Sequence, residues 1–481
     1  MRAQFQRMQK KLLTVALLVA GDAAAIIGCF ILGFMIRTAT LPIFIPLSRI
    51  RPAFLSIYLA KSFMVFVWVA VFLYEKLYTK RYVFWDEVRL LIKSTTIAFS
   101  LIMTSLFLSR EVIRFSRLII VLAWLLSLVL LPLVRFLIRR ALFLLGLNTK
   151  KVMILGSHET SAALIETIQQ NWNLGYEVVG CLTDDRASIG RSILGVKVLG
   201  HIDEIEDWKL ATGFDDTIVT LPDIPRERMI RYLKRWDQAS DTIRYIPRTG
   251  DLITTGVEIE NIGKILALTV RKNLHKPWNI FVKSVFDYIF GVVCLIVCLP
   301  FFLFIGLAIR LDSRGPAFFK QERFGKRGRE IKVFKLRSMY LDADERLERF
   351  LAGHPEAREE WERFKKLRNG DPRVTRVGRF LRKHSLDEMP QLFNVLRGEM
   401  SLVGPRPYIM EELKEAEEVK AFLLQVKPGI TGMWQTSGRS LLPFKERLAI
   451  DEHYIRNWSF WLDIVVLIKT LKVWLLAEGA F

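Results

Sequence analysis

Two adjacent carboxylates, Asp387 and Glu388, follow directly on the cations Arg379, Arg382 and Lys383 in the stretch "RFLRKHSLDEMPQLFNVLRGEMSLVGPRP". Its last arginine, Arg406, is held between Pro405 and Pro407. Prolines on both sides fix an extended backbone, so Arg406 has little conformational freedom left to lose. A planar guanidinium matches phosphate oxygens two at a time. Arg379, Arg382 and Arg406 are therefore candidate phosphate-binding residues, and Arg439, in the turn-rich "KPGITGMWQTSGR", is a fourth. A carboxylate inside such a cluster must do something other than bind the phosphate. It can hold a divalent metal that bridges to the phosphates, or attack phosphorus to give an acyl phosphate. Asp387 and Glu388 are the candidates for both tasks.

The elements that must position these groups can be read from the same residues. Ser385-x-x-Glu388 fits a capping box, Pro390 suits a first helical turn and Gly398 a stop, so a helix is expected to begin at the acidic pair. Carboxylates there also complement the helix dipole, and a structural salt bridge would account for Arg406; it is the ring of cations that argues for more. Neighbours on a helix do not face one another, which gives the two acids distinct tasks. Upstream, "EIKVFKLRSM" reads as a strand or interfacial segment with cations on one face, and 341–366 as a solvated helical arm. Downstream, "FKERLAIDEHYIRNW" reads as an amphipathic helix. The final run "SFWLDIVVLIKTLKVWLLA" is interrupted by Asp463, Lys469 and Lys472, and Trp458, Trp461 and Trp474 suit an interface. It is expected to lie in a membrane plane.

The chain has 481 residues, 51% of them hydrophobic, and a mean hydropathy of +0.26, so membrane segments are expected. Apolar stretches at 12–36, 53–74, 90–108 and 118–138 are long enough to cross a bilayer core. The first contains Asp22 and precedes further spans, which argues against a cleaved signal. Lys and Arg near the span ends, Arg135, Arg139 and Arg140 among them, place the amino end, the middle connection and everything after residue 140 on the cytoplasmic side. A fifth run, 286–311, has Pro300 near its middle and basic residues at both ends. A helix that enters, breaks at Pro300 and returns keeps both flanks on one face; a Pro-kinked crossing is the alternative. The 70 Lys and Arg against 49 Asp and Glu, a net charge of +21, call for anionic partners. No nucleic-acid-binding signature is present, and the cations flank apolar runs, which favours lipid headgroups.

Between the spans and the acidic pair, strands at 151–156, 176–182 and 215–220 alternate with helices, the pattern of a parallel sheet covered on both faces. Asp184 and Asp185 stand where a ribose-binding acid would, but "GSHETSA" supplies only Gly156 of the glycines that a dinucleotide fingerprint needs. Nucleotide binding and a structural or regulatory role both stay open, and with the former a membrane-anchored nucleotide-binding regulator. The four cysteines match no disulfide or zinc pattern. Cys294 and Cys298 read as small apolar residues on a membrane helix.

The pieces "KSVFDYIFG…LP", "DSRGPAFFKQERFG", "FKLRSM", "SLDEMPQLFNVLRGEMSLVGPRP", "KPGITGMWQ" and "WLDI" resemble the bacterial polyprenyl-phosphate sugar-1-phosphate transferases, the monotopic phosphoglycosyl transferases. The resemblance spans residues 278–481, and the preceding spans and sheet resemble the large members. Within the family, "WQTSGR" and the "EGAF" ending look most like members that transfer galactose-1-phosphate. It implies three parts: a membrane α-helical bundle (1–145), a Rossmann-like α/β parallel-sheet module (146–265) and a mainly α catalytic domain (266–481) with a re-entrant helix at about 283–311. It implies transfer of a sugar-1-phosphate from a UDP-sugar to undecaprenyl phosphate at the bacterial inner membrane, on its cytoplasmic face, for O-antigen or exopolysaccharide synthesis. It makes Asp387 the nucleophile, Glu388 its helper in proton transfer or in organising Mg²⁺, and Arg382 and Arg406 phosphate ligands, in a homodimer. Small members carry Ser-Pro at the helix break; here it is Leu299-Pro300, which leaves a serine-stabilised bend in doubt.

Overall fold

The computed structural model describes residues 2–44, 62–108, 116–221, 242–246, 257–262, 265–270, 276–364, 370–437 and 443–476, together with Tyr232, Trp236, Ser240, Leu274 and Leu367. It divides into two compact units, Met1–Thr249 and Gly250–Phe481.

In the first unit, helices α1 (Arg2–Phe44), α2 (Ser62–Tyr74), α3 (Phe84–Leu108) and α4 (Arg117–Leu144) pack around an apolar core that includes Trp68, Phe72 and Leu131. Leu12–Thr40, α3 and α4 are long and apolar enough to cross a membrane, whereas the described part of the second expected span is shorter. Charge is buried inside the bundle. Arg135 binds Asp22 and reaches Glu87 at 3.3 Å, and Arg139 donates to Glu87 at 2.8 Å. Two of the cations counted as a cytoplasmic flank are thus internal partners of two acids, because an unpaired charge at that depth would be costly.

The same unit carries a sheet in the order β3–β4–β2–β1–β5–β6, formed by β1 (Lys150–Leu155), β2 (Tyr176–Thr183), β3 (Ser192–Ile193), β4 (Val196–His201), β5 (Asp216–Val219) and β6 (Thr242–Tyr245). All pairs are parallel except β3–β4. Helices α5 (Glu159–Gln170) and α6 (Ile205–Thr212) lie between strands. Alternate residues feed two cores: Met153, Leu155 and Leu182 on one face, Ile154 and Cys181 on the other. That two-sided burial is what a parallel sheet requires. Gly156, at φ 136°, packs against Thr220 and Ser161 so closely that a Cβ would collide. Asp185 accepts from Ala187 N and Ser188 Oγ in a local turn. Both have structural work apart from any nucleotide.

The second unit opens with the hairpin β7 (Val257–Ile262) and β8 (Ile265–Val270), then α7 (Pro277–Asp312), 36 residues long with Pro300 inside it. There follow the hairpin β9 (Phe318–Phe324) and β10 (Glu330–Leu336), and the helices α8 (Ala343–Gly353), α9 (Pro355–Phe364) and α10 (Arg376–Lys383). A 3₁₀ turn, Leu386–Gln391, leads into α11 (Leu392–Leu396) and β11 (Ser401–Val403). The chain closes with α12 (Met410–Glu415), α13 (Glu417–Leu423), β12 (Gly429–Thr431), α14 (Phe444–Arg456) and α15 (Phe460–Leu476).

A polar network joins four of these elements, α7, β11, α14 and α15. Lys283 of α7 donates to Asp463 of α15 at 2.7 Å and to the Val403 carbonyl of β11 at 3.0 Å. Tyr454 donates to both, and Trp458 Nε1 donates to Asp463. Asp287 accepts from Ser401 Oγ and Leu402 N. Asp463 and Trp458 are therefore buried structural groups, not the interfacial ones that the sequence suggested.

Candidate active site

Strand β10 carries the first functional cation. Ile331 and Val333 are buried, and Lys335 shares their strand parity. It points a charge to the side where apolar groups are expected, and lies 3.5 Å from Glu388. Asn394, fully buried on α11, locks this strand in place: its Oδ1 accepts from Phe334 N at 3.0 Å and its Nδ2 donates to Lys332 O at 2.8 Å. The side-chain amide thus acts as a missing strand partner. The cations of the segment do not share one face: Lys332 is exposed, while Arg337 is buried and donates to Ser313 O and Arg314 O.

Asp387 and Glu388 sit in the first turn of the 3₁₀ segment. The expected capping box does not form. Ser385 takes φ 51°, a left-handed conformation, and its side chain makes no cap bond. Helix α10 ends only at Lys383, so the chain must reverse within two residues and has no room for the extended cap that the motif needs. Gly398 does end α11, at φ 74°. Burial, and then the neighbouring Glu388 charge, push the Asp387 carboxyl up to about 6 against the pull of Lys335 and Arg382.

Helix α10 brings the arginines. Its amino end is capped twice: Thr375 Oγ1 accepts from Gly378 N, and Asp312 Oδ2 accepts from Val377 N, both at 2.9 Å. Gly378 lies so close to Ser338 that a Cβ would strike its carbonyl. Arg382 Nε donates to Ser338 Oγ at 3.0 Å. Arg406 follows β11, which pairs in parallel with β12. Its backbone N–H donates to Asp451 Oδ2 at 3.3 Å, and its guanidinium lies 5.8 Å from the centre of the Trp434 ring. Asp451 is fully buried, also accepts from Tyr408 Oη at 2.7 Å, and is pushed up to about 7, chiefly by burial.

Asp387, Glu388, Arg379, Arg382 and Arg406 all line one cleft of about 1030 Å³. Arg439 lies outside the described residues, and Arg376 is exposed and does not line the cleft. Three cations that sequence reasoning passed over join them: Lys335, Arg346 and Arg373. Arg346 comes from α8, part of the arm read as merely solvated, and sits 3.8 Å over the Tyr340 ring. Lys335 was detectable as a charge in an inward strand position; for Arg346 and Arg373 the sequence offers no comparable signal. Seven Lys or Arg against three Asp or Glu line the cleft, so it favours a multiply anionic ligand.

Among the described residues no three His, Cys, Asp or Glu side chains group as a metal site. The acidic pair offers two carboxylates. Mg²⁺ is usually held by one or two carboxylates plus substrate phosphates and water, so the residues fit a Mg²⁺ bound jointly with substrate.

Residues 278–477 match the family described as bacterial sugar transferase, and residues 73–247 one described as a CoA-binding domain. The undecaprenyl-phosphate galactose phosphotransferase of Salmonella typhimurium is 33% identical over 408 residues, 84% of this chain and 84% of that protein. The chain belongs to the bacterial sugar transferase family. This transferase is also 35% identical to the UDP-galactose-lipid carrier transferase of Erwinia amylovora, over 84% of each chain. It is 31% identical to the UDP-glucose:undecaprenyl-phosphate glucose-1-phosphate transferase of Xanthomonas campestris, over 68% of this chain and 66% of that one.

Proposed function

We propose that this transferase moves galactose-1-phosphate from UDP-galactose to undecaprenyl phosphate, releasing UMP, as the first membrane step of O-antigen or exopolysaccharide synthesis. An Asp387 carboxylate oxygen attacks the β-phosphorus of the donor. The bond to the bridging oxygen breaks, and UMP leaves with that electron pair. A phosphate oxygen of the acceptor then attacks the same phosphorus and the aspartyl oxygen departs. Arg382, Arg379, Arg406 and Lys335 hold the phosphates, with Arg439 a further candidate. Glu388 moves a proton or, with Asp387, organises Mg²⁺, which when bound offsets phosphate charge.

The observation that carries this reading is a half-buried carboxylate, raised to about 6, on the floor of a cationic cleft. At neutral pH such a group is mostly ionised yet poorly solvated, the condition of a usable nucleophile. A re-entrant α7 is supported by its contacts. Lys283 and Asp287 bond to β11 and α15, and Asp312 bonds to α10, all within one unit. A straight helix between those positions would be about 44 Å long, more than a hydrocarbon core. A bend at Pro300 lets both ends reach the same polar domain, which we place on the cytoplasmic face of the inner membrane, in a homodimer. The glucose-1-phosphate transferase among its relatives keeps UDP-glucose as a second donor reading.

The test is single-turnover incubation of purified enzyme with radiolabelled UDP-galactose or UDP-glucose, without acceptor. A labelled protein adduct, UMP in equal amount, and loss of both in Asp387→Asn are expected. Normal turnover by Asp387→Asn would overturn the assignment, and a preference for UDP-glucose would overturn the sugar.

A further inference from the structure

The cleft has a second wall that phosphate chemistry does not use. On α7, Phe290, Cys294 and Cys298 recur every four residues and so form one stripe about 12 Å long. Leu467 and Leu471 of α15, one turn apart, line the same cleft. Leu392, which directly follows the turn bearing Asp387, lines the same cleft. Phe290 and Leu471 are 40% and 56% exposed although they face the cleft. An apolar slot that opens onto a cationic floor matches one chemical class, a phosphate ester of a long branched hydrocarbon. The phosphate end is fixed by the requirement to reach Asp387, and of the apolar groups that line the cleft those of α7 and α15 lie on helices that also expose apolar residues, the path a long hydrocarbon needs. Beyond the stripe, the other side of α7 exposes Val293, Ile296 and Val297.

We propose that the slot between the Cys294–Cys298 stripe of α7 and Leu467–Leu471 of α15 binds the first isoprene units of the acceptor, next to its phosphate. The inference rests on the reading of Asp387 as the group that carries sugar phosphate, and adds the residues that select the acceptor. Cys294 is half-buried and Cys298 buried. Their small size leaves the wall low enough for methyl branches to pass, and that gives "VVCLIVCLP" a reason to carry cysteine at these two positions.

Cys294→Trp and Leu471→Trp each fill the slot; Ile296→Trp, on the exposed side of α7, is the control. In each purified full-length variant, the adduct formed from UDP-galactose alone is compared with turnover on undecaprenyl phosphate. Acceptor-dependent turnover relative to adduct is expected to fall about tenfold in the two slot variants, through KM, and to stay unchanged in the control. Saturating undecaprenyl phosphate is also expected to slow alkylation of Cys294 by a maleimide in the otherwise unmodified enzyme, read by peptide mass spectrometry. An unchanged ratio in both slot variants, or equal protection by phosphatidylglycerol vesicles, overturns the proposal. Turnover without any adduct in the unmodified enzyme overturns the Asp387 reading, while the slot is still judged by acceptor KM and protection.

Discussion

The acid limb of the pH profile is the most direct probe of the charge arrangement around Asp387. Its carboxyl lies at about 6, so the ionised fraction is about nine-tenths at pH 7 and about one-tenth at pH 5. A group raised in this way loses its reactive, ionised form as pH falls through 6, and formation of the adduct should fall with it. The donor half-reaction isolates the effect, because both phosphates of a UDP-sugar are diesterified and do not titrate in this range. Lys335 pulls the value down and Glu388 pushes it up, so removing each charge moves the limb in opposite directions. Charges at this range shift a carboxyl by about one to three units. Taking the low end, Lys335→Gln moves the limb to about 7, and the plateau-scaled rate at pH 6 drops about fivefold against the unmodified enzyme. The 3.5 Å pair with Glu388 adds to that shift, since an unpaired Glu388 repels a second negative charge more strongly. Glu388→Gln moves the limb to about 5. The assay is stopped-flow or quench-flow UMP release from pH 4.5 to 8, each variant scaled to its own plateau. Limbs that stay at 6 in both variants, or move the same way, would refute the assignment of the limb to Asp387.

Asn394→Ala strands the Phe334 N–H and the Lys332 carbonyl, each at about 1–3 kcal/mol, so the thermal inactivation temperature in detergent should fall by several degrees and turnover with it. Lys283→Met leaves Asp463 buried without its cation, a loss of about 3–5 kcal/mol; Asp463→Leu should be worse, because Lys283 loses its buried counter-charge, Trp458 its acceptor and Tyr454 one of two, and scanning fluorimetry ranks the two. Gly378→Ala forces a Cβ into the Ser338 carbonyl and displaces the helix that carries Arg379 and Arg382, so kcat/KM should fall at least about tenfold, whereas Gly353→Ala, which meets nothing, should leave it unchanged.

The sheet module was legible almost strand by strand, because burial on both faces forces continuous apolar runs that periodicity detects. The site was legible in part. Asp387, Glu388, Arg379, Arg382 and Arg406 lie close in sequence to turns that any reading would mark, and the fold gathers them in one cleft. The capping box failed because a local motif says nothing about how much chain the preceding helix has used up. Arg346 and Arg373 escaped notice because they reach the cleft through tertiary packing, stacked on Tyr340 and Trp361, from a charge-rich segment with no distinguishing period. Asp463 misled for the opposite reason. A charge inside an apolar helix looks like a solvent-facing position until Lys283, 180 residues earlier, supplies its partner.

The 3₁₀ geometry explains how two adjacent acids can be kept apart in function. With three residues per turn, neighbours project about 120° apart, more than the separation in an α-helix. Lys335 stands 3.5 Å from Glu388, whereas among the described residues no cation comes within ion-pair distance of Asp387. The acid with a partner is engaged in its ion pair and stands as a negative neighbour. The acid without one is held up by that neighbour and by burial, yet keeps its lone pairs free of a salt bridge that would blunt them. A glutamate at position 387 would reach further out of the turn, toward the cations of α10, and lose that separation. Asp387→Glu should therefore bind donor but form adduct far more slowly, and its acid limb should move below 6 as the longer carboxylate pairs with Arg382; a limb at or above 6 would count against this division of labour.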